Sequence, residues 1–237
     1  MIAIIHCRRR GFSLIELMVT IGIIALLVSM LLPTLGRARA QARQVSCASG
    51  LRQIGQGLYV YAAANRGWYP PFGSYQVYGG DGTGDDRPGL GWTEILAPHF
   101  VAPDAPIYKC PDFPEEDHRI TYFLSARWAY LGNRNSIQQS AVRIASQYVL
   151  AAECTRLASY PPQFGRSPHV EDDCDKDDGY ARSLVFFGEP LGFNLHPGGN
   201  NVLFADGHVS AFTQFEPGSM SYHPKRPGID WDEVTYP

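Results

Sequence analysis

An α+β fold, with a long N-terminal α-helix packed on a loop-rich antiparallel β-sheet head, is predicted by three observations. Residues 12–32 form a predominantly apolar run whose only charged residue is Glu16. Beyond that run Leu51, Ile54, Leu58 and Tyr61 recur at three- and four-residue intervals, which puts them on one helix face. Near the C-terminus Asp206-Gly207 separates two apolar runs, a two-residue hairpin signal because both central positions need positive φ.

The helix comes first in the chain. The 21 residues 12–32 would span about 30 Å, enough to cross a bilayer core. A carboxylate just inside such a segment is costly in lipid and calls for a partner. The helical pattern continues past Pro33, although Gly50, Gly55 and Gly57 each cost about 1 kcal/mol relative to Ala, so packing must hold this half. Asn65-Arg66-Gly67 supplies the stop, with Pro70-Pro71 beyond it. A helix over residues 12–65 would approach about 80 Å.

After it, residues 78–90 lack a hydrophobic period and read as a loop. Residues 92–100 suit a short helix capped by Thr93, and 107–112 suit an extended piece ending at a turn. Aromatic and β-branched content predicts strands over 119–130, 147–152 and 183–187. In a two-residue hairpin at Asp206-Gly207, Phe204 lies opposite Val209 and Val202 opposite Ala211 on one apolar face. Leu203, Ala205, His208 and Ser210 then take the other face.

Formal charge is divided unevenly. Residues 1–65 carry seven Arg against Glu16 alone, whereas 66–237 carry 13 Lys or Arg against 22 Asp or Glu. An acidic head argues against nucleic acid as a partner. Arg37, Arg39, Arg43 and Arg52 read as a solvated helix face, or as a stripe facing acidic heads of neighbours. Of five cysteines, Cys7 precedes the apolar run, leaving Cys47, Cys110, Cys154 and Cys174. An even number outside the cytoplasm reads as two disulfides, and no C-x-x-C spacing favours zinc instead. The expected pairs are Cys47–Cys110 and Cys154–Cys174.

Arg8-Arg9-Arg10-Gly11-Phe12 followed by Glu16 and the apolar run resembles the processing site of type IV prepilins and type II secretion pseudopilins. A cleaved secretory signal would want a shorter apolar core and a small-residue site after it. A plain signal anchor explains the basic cluster but needs neither Gly11 nor Glu16. The resemblance implies a leader of residues 1–11, a cut between Gly11 and Phe12 by a prepilin peptidase, and N-methylation of Phe12. It implies that Glu16 pairs with the terminal amine of a neighbouring subunit, and that Pro33 marks a bend or melted stretch. It also implies a pilin-like architecture, with the helix over 12–65 and an extracytoplasmic head over 66–237.

His196, nine intervening residues and Asp206-Gly207 resemble the H-x9-D-G element of a large class of prepilin-like proteins. Segments like Cys47-Ala-Ser-Gly-Leu-Arg-Gln-Ile-Gly and Cys110-Pro111 also occur in that class, where Asn is usual at the place of Gly50. His196 is expected to tie the loop before the hairpin to the Asp206 turn. A metal site of His196, Asp206 and His208 is the competing option. Asp173, Asp175 and Asp177 alternate as in a calcium loop but fail the EF-hand pattern, so they read first as a solvated loop around Cys174, and Asp81, Asp85 and Asp86 likewise. No nucleophile, P-loop or dinucleotide fingerprint occurs, and Glu153 reads as a structural acid at a strand end.

The expected function is therefore that of a non-enzymatic pilin or pseudopilin subunit, with no cofactor unless calcium. Its partners would be the prepilin peptidase, other pilin or pseudopilin subunits and the inner membrane. It would cross that membrane once with the head outside the cytoplasm, in a periplasmic or cell-surface filament. The rival is a membrane-anchored extracytoplasmic binding protein or enzyme that uses the leader for delivery.

Overall fold

Ser13 occupies the N-cap of α1 (Leu14–Ala64), and Glu16, three residues on, turns its carboxylate back to accept the Ser13 amide N–H at 2.9 Å. Ser-x-x-Glu is a capping-box pattern, so the acid satisfies a helix-start donor within its own chain. The computed structural model describes residues 13–70, 92–103, 105–113, 121–125, 136–153 and 195–229. The processing site, the acidic loops, Cys154, Cys174 and the expected strand over 183–187 lie outside them.

The chain divides into two compact units, residues 1–40 and 41–237. In the first, Ile15, Ile21, Ile24, Leu27 and Leu31 are all exposed. This part makes α1 long and apolar enough to cross a membrane by length and composition. The helix continues without a break through Pro33.

In the second unit α1 buries Cys47, Leu51, Ile54, Leu58 and Ala62, spaced by four, three, four and four residues. The expected stripe is present, with Ala62 at its end. Tyr61 sits at its margin, with its ring edge-on to His99. The helical glycines now have a reason. A Cβ on Gly57 would come within 2.6 Å of the Phe100 ring, and one on Gly55 within 3.0 Å of Leu203. Backbone entropy is traded for close approach. The helix stops as expected, with Arg66 at φ 56°, Gly67 at φ 81° and the Gly67 N–H bonded to the Ala62 carbonyl.

Among the described residues, four antiparallel strands form one sheet in the order β1 (Tyr122–Leu124), β2 (Val149–Glu153), β3 (Asn200–Phe204), β4 (Val209–Phe212). β1 falls inside the expected region 119–130, and β2 overlaps the expected 147–152 but runs one residue further, to Glu153. A bulge between Val149 and Ala151 shifts the β2–β3 ladder, pairing Val149 with Phe204 but Ala151 with Leu203. Directly paired residues share a face, so the bulge sends Val149 to one face and Ala151 and Glu153 to the other. Leu203 meets α1 at Gly55, which makes the face of Glu153 the one that packs on the helix.

The β3–β4 hairpin corrects the expected register by one residue. Leu203 pairs with Val209 and Val202 with Ser210. Only Gly207, at φ 91°, has positive φ in the turn, and its N–H bonds the Phe204 carbonyl while the Phe204 N–H bonds that of His208. This is a three-residue loop, Ala205-Asp206-Gly207, not a two-residue one. A one-residue slip exchanges the faces of β4, so Phe204, His208 and Phe212 cluster together, with Phe204 and His208 stacked at 4.3 Å.

Two smaller expectations are also corrected. The helix at Trp92 lasts only to Leu96 and tightens into a 3₁₀ turn at Ala97–His99, where Pro98 cannot donate to an α-helical bond. Thr93 is the second residue of that helix and does not cap it. Its buried hydroxyl has no partner among the described residues. Pro106–Tyr108 is likewise a 3₁₀ turn where extended chain was expected, and the Tyr108 hydroxyl is pushed up to about 12 by burial.

Past β4 the chain returns to the sheet as a parallel bridge between Tyr148 and Ser221. Nearby, buried His223 accepts the backbone N–H groups of Lys225 and Arg226 on Nδ1, at 3.0 and 3.1 Å. Burial first, then the Arg226 and Lys225 charges, lower its pKa below 6.5. The folded state thus binds fewer protons than the unfolded one. This contribution is present above about pH 6.5 and is lost as pH falls through the depressed folded pKa. Thermal melts of the protein on the acid side of that pH should show a falling midpoint. His223→Asn, whose amide oxygen accepts the same donors, should flatten the dependence. An unchanged slope in that variant would assign the acid sensitivity to another group.

Candidate functional site

Four side chains of ligand type converge in the core of the second unit: Cys47, Cys110, Glu153 and His196, all buried, with their ligand atoms within 4.8 Å of one another. Each arrives by a different device. Cys47 opens the buried stripe of α1. Cys110 is held by its N–H to Thr121 Oγ1 at 2.7 Å, next to the Thr121 N–H bond to the Tyr108 carbonyl, which leads into β1. A turn follows, closed by the Phe113 N–H on the Cys110 carbonyl, with Pro111 at its second position and Asp112 at its third. Glu153 ends β2 on the helix-facing side.

His196 starts a second proline turn, His196-Pro197-Gly198-Gly199, closed by the Gly199 N–H on the His196 carbonyl at 3.0 Å. The Leu195 N–H adds a bond to Asn200 Oδ1 at 2.8 Å. These two turns aim the imidazole away from the hairpin. Its Nδ1 lies 2.8 Å from Asp112 Oδ2, and its Nε2 lies 3.0 Å from Glu153 Oε1 and 3.4 Å from Cys110 Sγ. The other Asp112 oxygen accepts from Arg43 Nε. Glu153 Oε2 accepts the Asn201 backbone N–H at 2.6 Å, and Oε1 accepts Asn201 Nδ2 at 2.8 Å.

The electrostatics follow from this crowding. Burial alone would depress the pKa of His196, but hydrogen bonds to Cys110 and Glu153 and the Glu153 charge override it and push it up to about 10. The Cys110 thiol is pushed up by its contact with Cys47, and then by burial. Burial foremost, then the charges of Cys47, Cys110 and Glu153, raise the Tyr122 hydroxyl, which also touches Cys47.

Cys47 and Cys110 were expected to form a disulfide; the structure corrects this, bringing the two side chains together with Sγ atoms 2.6 Å apart but leaving them as free thiols. His196 was expected to bind the Asp206 turn and does not. Asp206 is instead engaged by its own loop, accepting the His208 backbone N–H at 3.1 Å and His208 Nδ1 at 2.6 Å. The His196, Asp206 and His208 metal option is therefore not assembled. Gly207 provides the positive φ of the loop, and a Cβ there would touch Tyr59, whose hydroxyl donates to the Ala205 carbonyl.

Glu153 and Asp112 are the site residues that sequence reasoning undervalued. Glu153 is the buried, hydrogen-bonded structural acid expected at a strand end, but its place in this cluster could not be read because its partners lie on other elements. Asp112 passed as the end of a turn, although an acid directly after Cys-Pro was the available signal.

A pilin-like α+β protein is thus defined by the long N-terminal helix and the four-stranded antiparallel sheet. The family model of the prokaryotic N-terminal methylation motif matches residues 6–32, so the chain carries a prepilin-type leader. No curated protein and no solved structure matches the chain. A leader of this kind implies processing by a prepilin peptidase and assembly with other pilins in general, and it points to a structural protein.

Proposed function

We propose that this chain is a pilin or pseudopilin subunit, cut between Gly11 and Phe12, methylated at Phe12 and assembled into a filament rooted in the inner membrane, with its head outside the cytoplasm. The observation that carries this reading is the methylation motif over residues 6–32, continuous with an apolar helix that has Glu16 in its first turn. Mass spectrometry of the mature N-terminus tests the processing. The expected species begins with N-methylated Phe12, and Gly11→Val should leave the leader attached, because a branched side chain replaces the minimal one at the scissile position. A mature chain starting at Met1, or near Arg37, refutes the reading.

Glu16 has two candidate roles that a pair of variants separates. In its own chain the carboxylate caps Ser13. In a filament it would neutralise the terminal amine of a neighbour, since a buried ammonium without a partner costs at least about 2.5 kcal/mol in lipid. That is more than tenfold in an equilibrium. Glu16→Gln keeps a capping side chain but removes the charge. Both Glu16→Gln and Glu16→Ala should insert and be cleaved yet give at least about tenfold fewer filaments. Normal yield from Glu16→Gln would show that the acid serves only the helix start.

A further inference from the structure

We propose that Cys47, Cys110, Glu153 and His196 form a closed four-ligand site for a divalent metal ion of zinc type, which ties α1 to the sheet. This goes beyond the filament reading and stands whether or not the chain enters a filament.

Donor chemistry comes first. Two thiols, one imidazole and one carboxylate are the ligand types that zinc takes in tetrahedral sites, and the sulfurs select against calcium or magnesium. All four are buried, and their ligand atoms lie within 4.8 Å of one another. In tetrahedral zinc the edges would be about 3.6 Å for sulfur to nitrogen and about 3.3 Å for nitrogen to oxygen. The observed edges are 3.4 Å from Cys110 Sγ to His196 Nε2 and 3.0 Å from His196 Nε2 to Glu153 Oε1. The edge between the sulfurs, now 2.6 Å, has to open to about 3.8 Å, and the remaining ligand atoms already lie within 4.8 Å of one another. Rotation about the Cys47 and Cys110 side-chain bonds supplies that change without moving the backbone.

The surroundings fit a metal as well as the donors do. Asp112 lies 2.8 Å from Nδ1 and is itself held by Arg43, so it fixes the imidazole with Nε2 toward the sulfurs and Glu153. A carboxylate behind a ligating histidine is the usual orienting partner of a zinc site. When Asp112 takes the Nδ1 proton, Nε2 faces Glu153 Oε1 with a lone pair against a lone pair unless a proton or a cation stands between them. Asn201 holds Glu153 from behind through its backbone and side-chain N–H groups. Binding would displace the two thiol protons and the Nε2 proton of the charged imidazole, leaving two thiolates, a carboxylate and a neutral imidazole on the ion, and the net charge of the ligand set with Zn²⁺ would be −1. Four protein ligands and full burial leave no open position for a substrate, so the site is structural. Its ligands come from four separate elements, which is why no C-x-x-C spacing announces it.

The experiment uses the full chain, purified in detergent under reducing conditions with zinc supplied. Elemental analysis should find one zinc per chain, and Cys47 and Cys110 should resist alkylation until a chelator is added. Replacing zinc by cobalt in the wild-type protein should give the visible absorption of a tetrahedral cobalt–thiolate centre, a readout that needs no variant to fold. Cys47→Ser and His196→Gln should lose the metal. Asp112→Asn, at a positioning residue, should weaken zinc binding about 10- to 100-fold without abolishing it. Three results would each overturn the site: a Cys47–Cys110 disulfide that persists under these conditions with no bound metal, cobalt spectra without thiolate bands, or zinc retained in both ligand variants. Filament assembly that fails while zinc is bound would count against the proposed function and not against this site.

Discussion

Glu153→Ala is expected to destabilise the second unit by about 3–5 kcal/mol, the cost of breaking a buried charged pair from one side. Glu153 is fully buried and accepts from the Asn201 backbone N–H, from Asn201 Nδ2 and, with His196 protonated, from His196 Nε2. Removing the carboxylate leaves an imidazole between Asp112 and an empty volume, and strips a backbone N–H in β3 of its acceptor. The penalty is larger than that of an ordinary strand-end acid, for which changes stay within about 0.5 kcal/mol. Denaturant unfolding of the metal-free protein reads the loss, and amide exchange at Asn201 should speed up in the variant. A change under about 1 kcal/mol would mean that the carboxylate is solvated and unpaired.

Gly199→Ala should cost at least about 3 kcal/mol and disturb the β3–β4 ladder. Two effects add. Gly199 has φ 100°, which an L residue adopts only under strain, and a Cβ there would lie 2.2 Å from the Phe212 carbonyl oxygen. That oxygen belongs to backbone at the end of β4, so no rotamer change relieves the clash. The neighbouring Gly198 is the control. The atoms nearest its Cβ would be those of the Gln44 side-chain amide, at 2.9 Å, which can swing away. Gly198→Ala should therefore be far milder in the same unfolding experiment. Equal losses in the two variants would defeat the argument from backbone contact.

Both predictions rest on partners far apart in the chain, and this separates what was legible in the sequence from what was not. The α1 stripe was legible because helical period is a local property, and Leu51, Ile54 and Leu58 are buried where the spacing put them. The stop at Asn65-Arg66-Gly67 and the antiparallel sheet ending in a hairpin were legible for the same reason. The hairpin register was not. Asp-Gly suits both two- and three-residue loops, and stacking of Phe204 with His208 and Phe212 accompanies the longer one. Thr93 looked like a cap by residue type, but the helix begins one residue before it.

The sequence by itself determined the apolar helix with its acid, the leader motif and the α+β plan, since each is written in contiguous residues whose spacing carries the physics. The tertiary structure alone decided that Glu153 and His196 join Cys47 and Cys110. Two proline turns and a β-bulge steer these side chains into one buried volume, and such convergence leaves no periodic trace in the chain. It also decided that His196 turns from Asp206 toward Asp112 and Glu153. A buried imidazole takes the partners that the packing brings within reach, whatever its distance along the sequence.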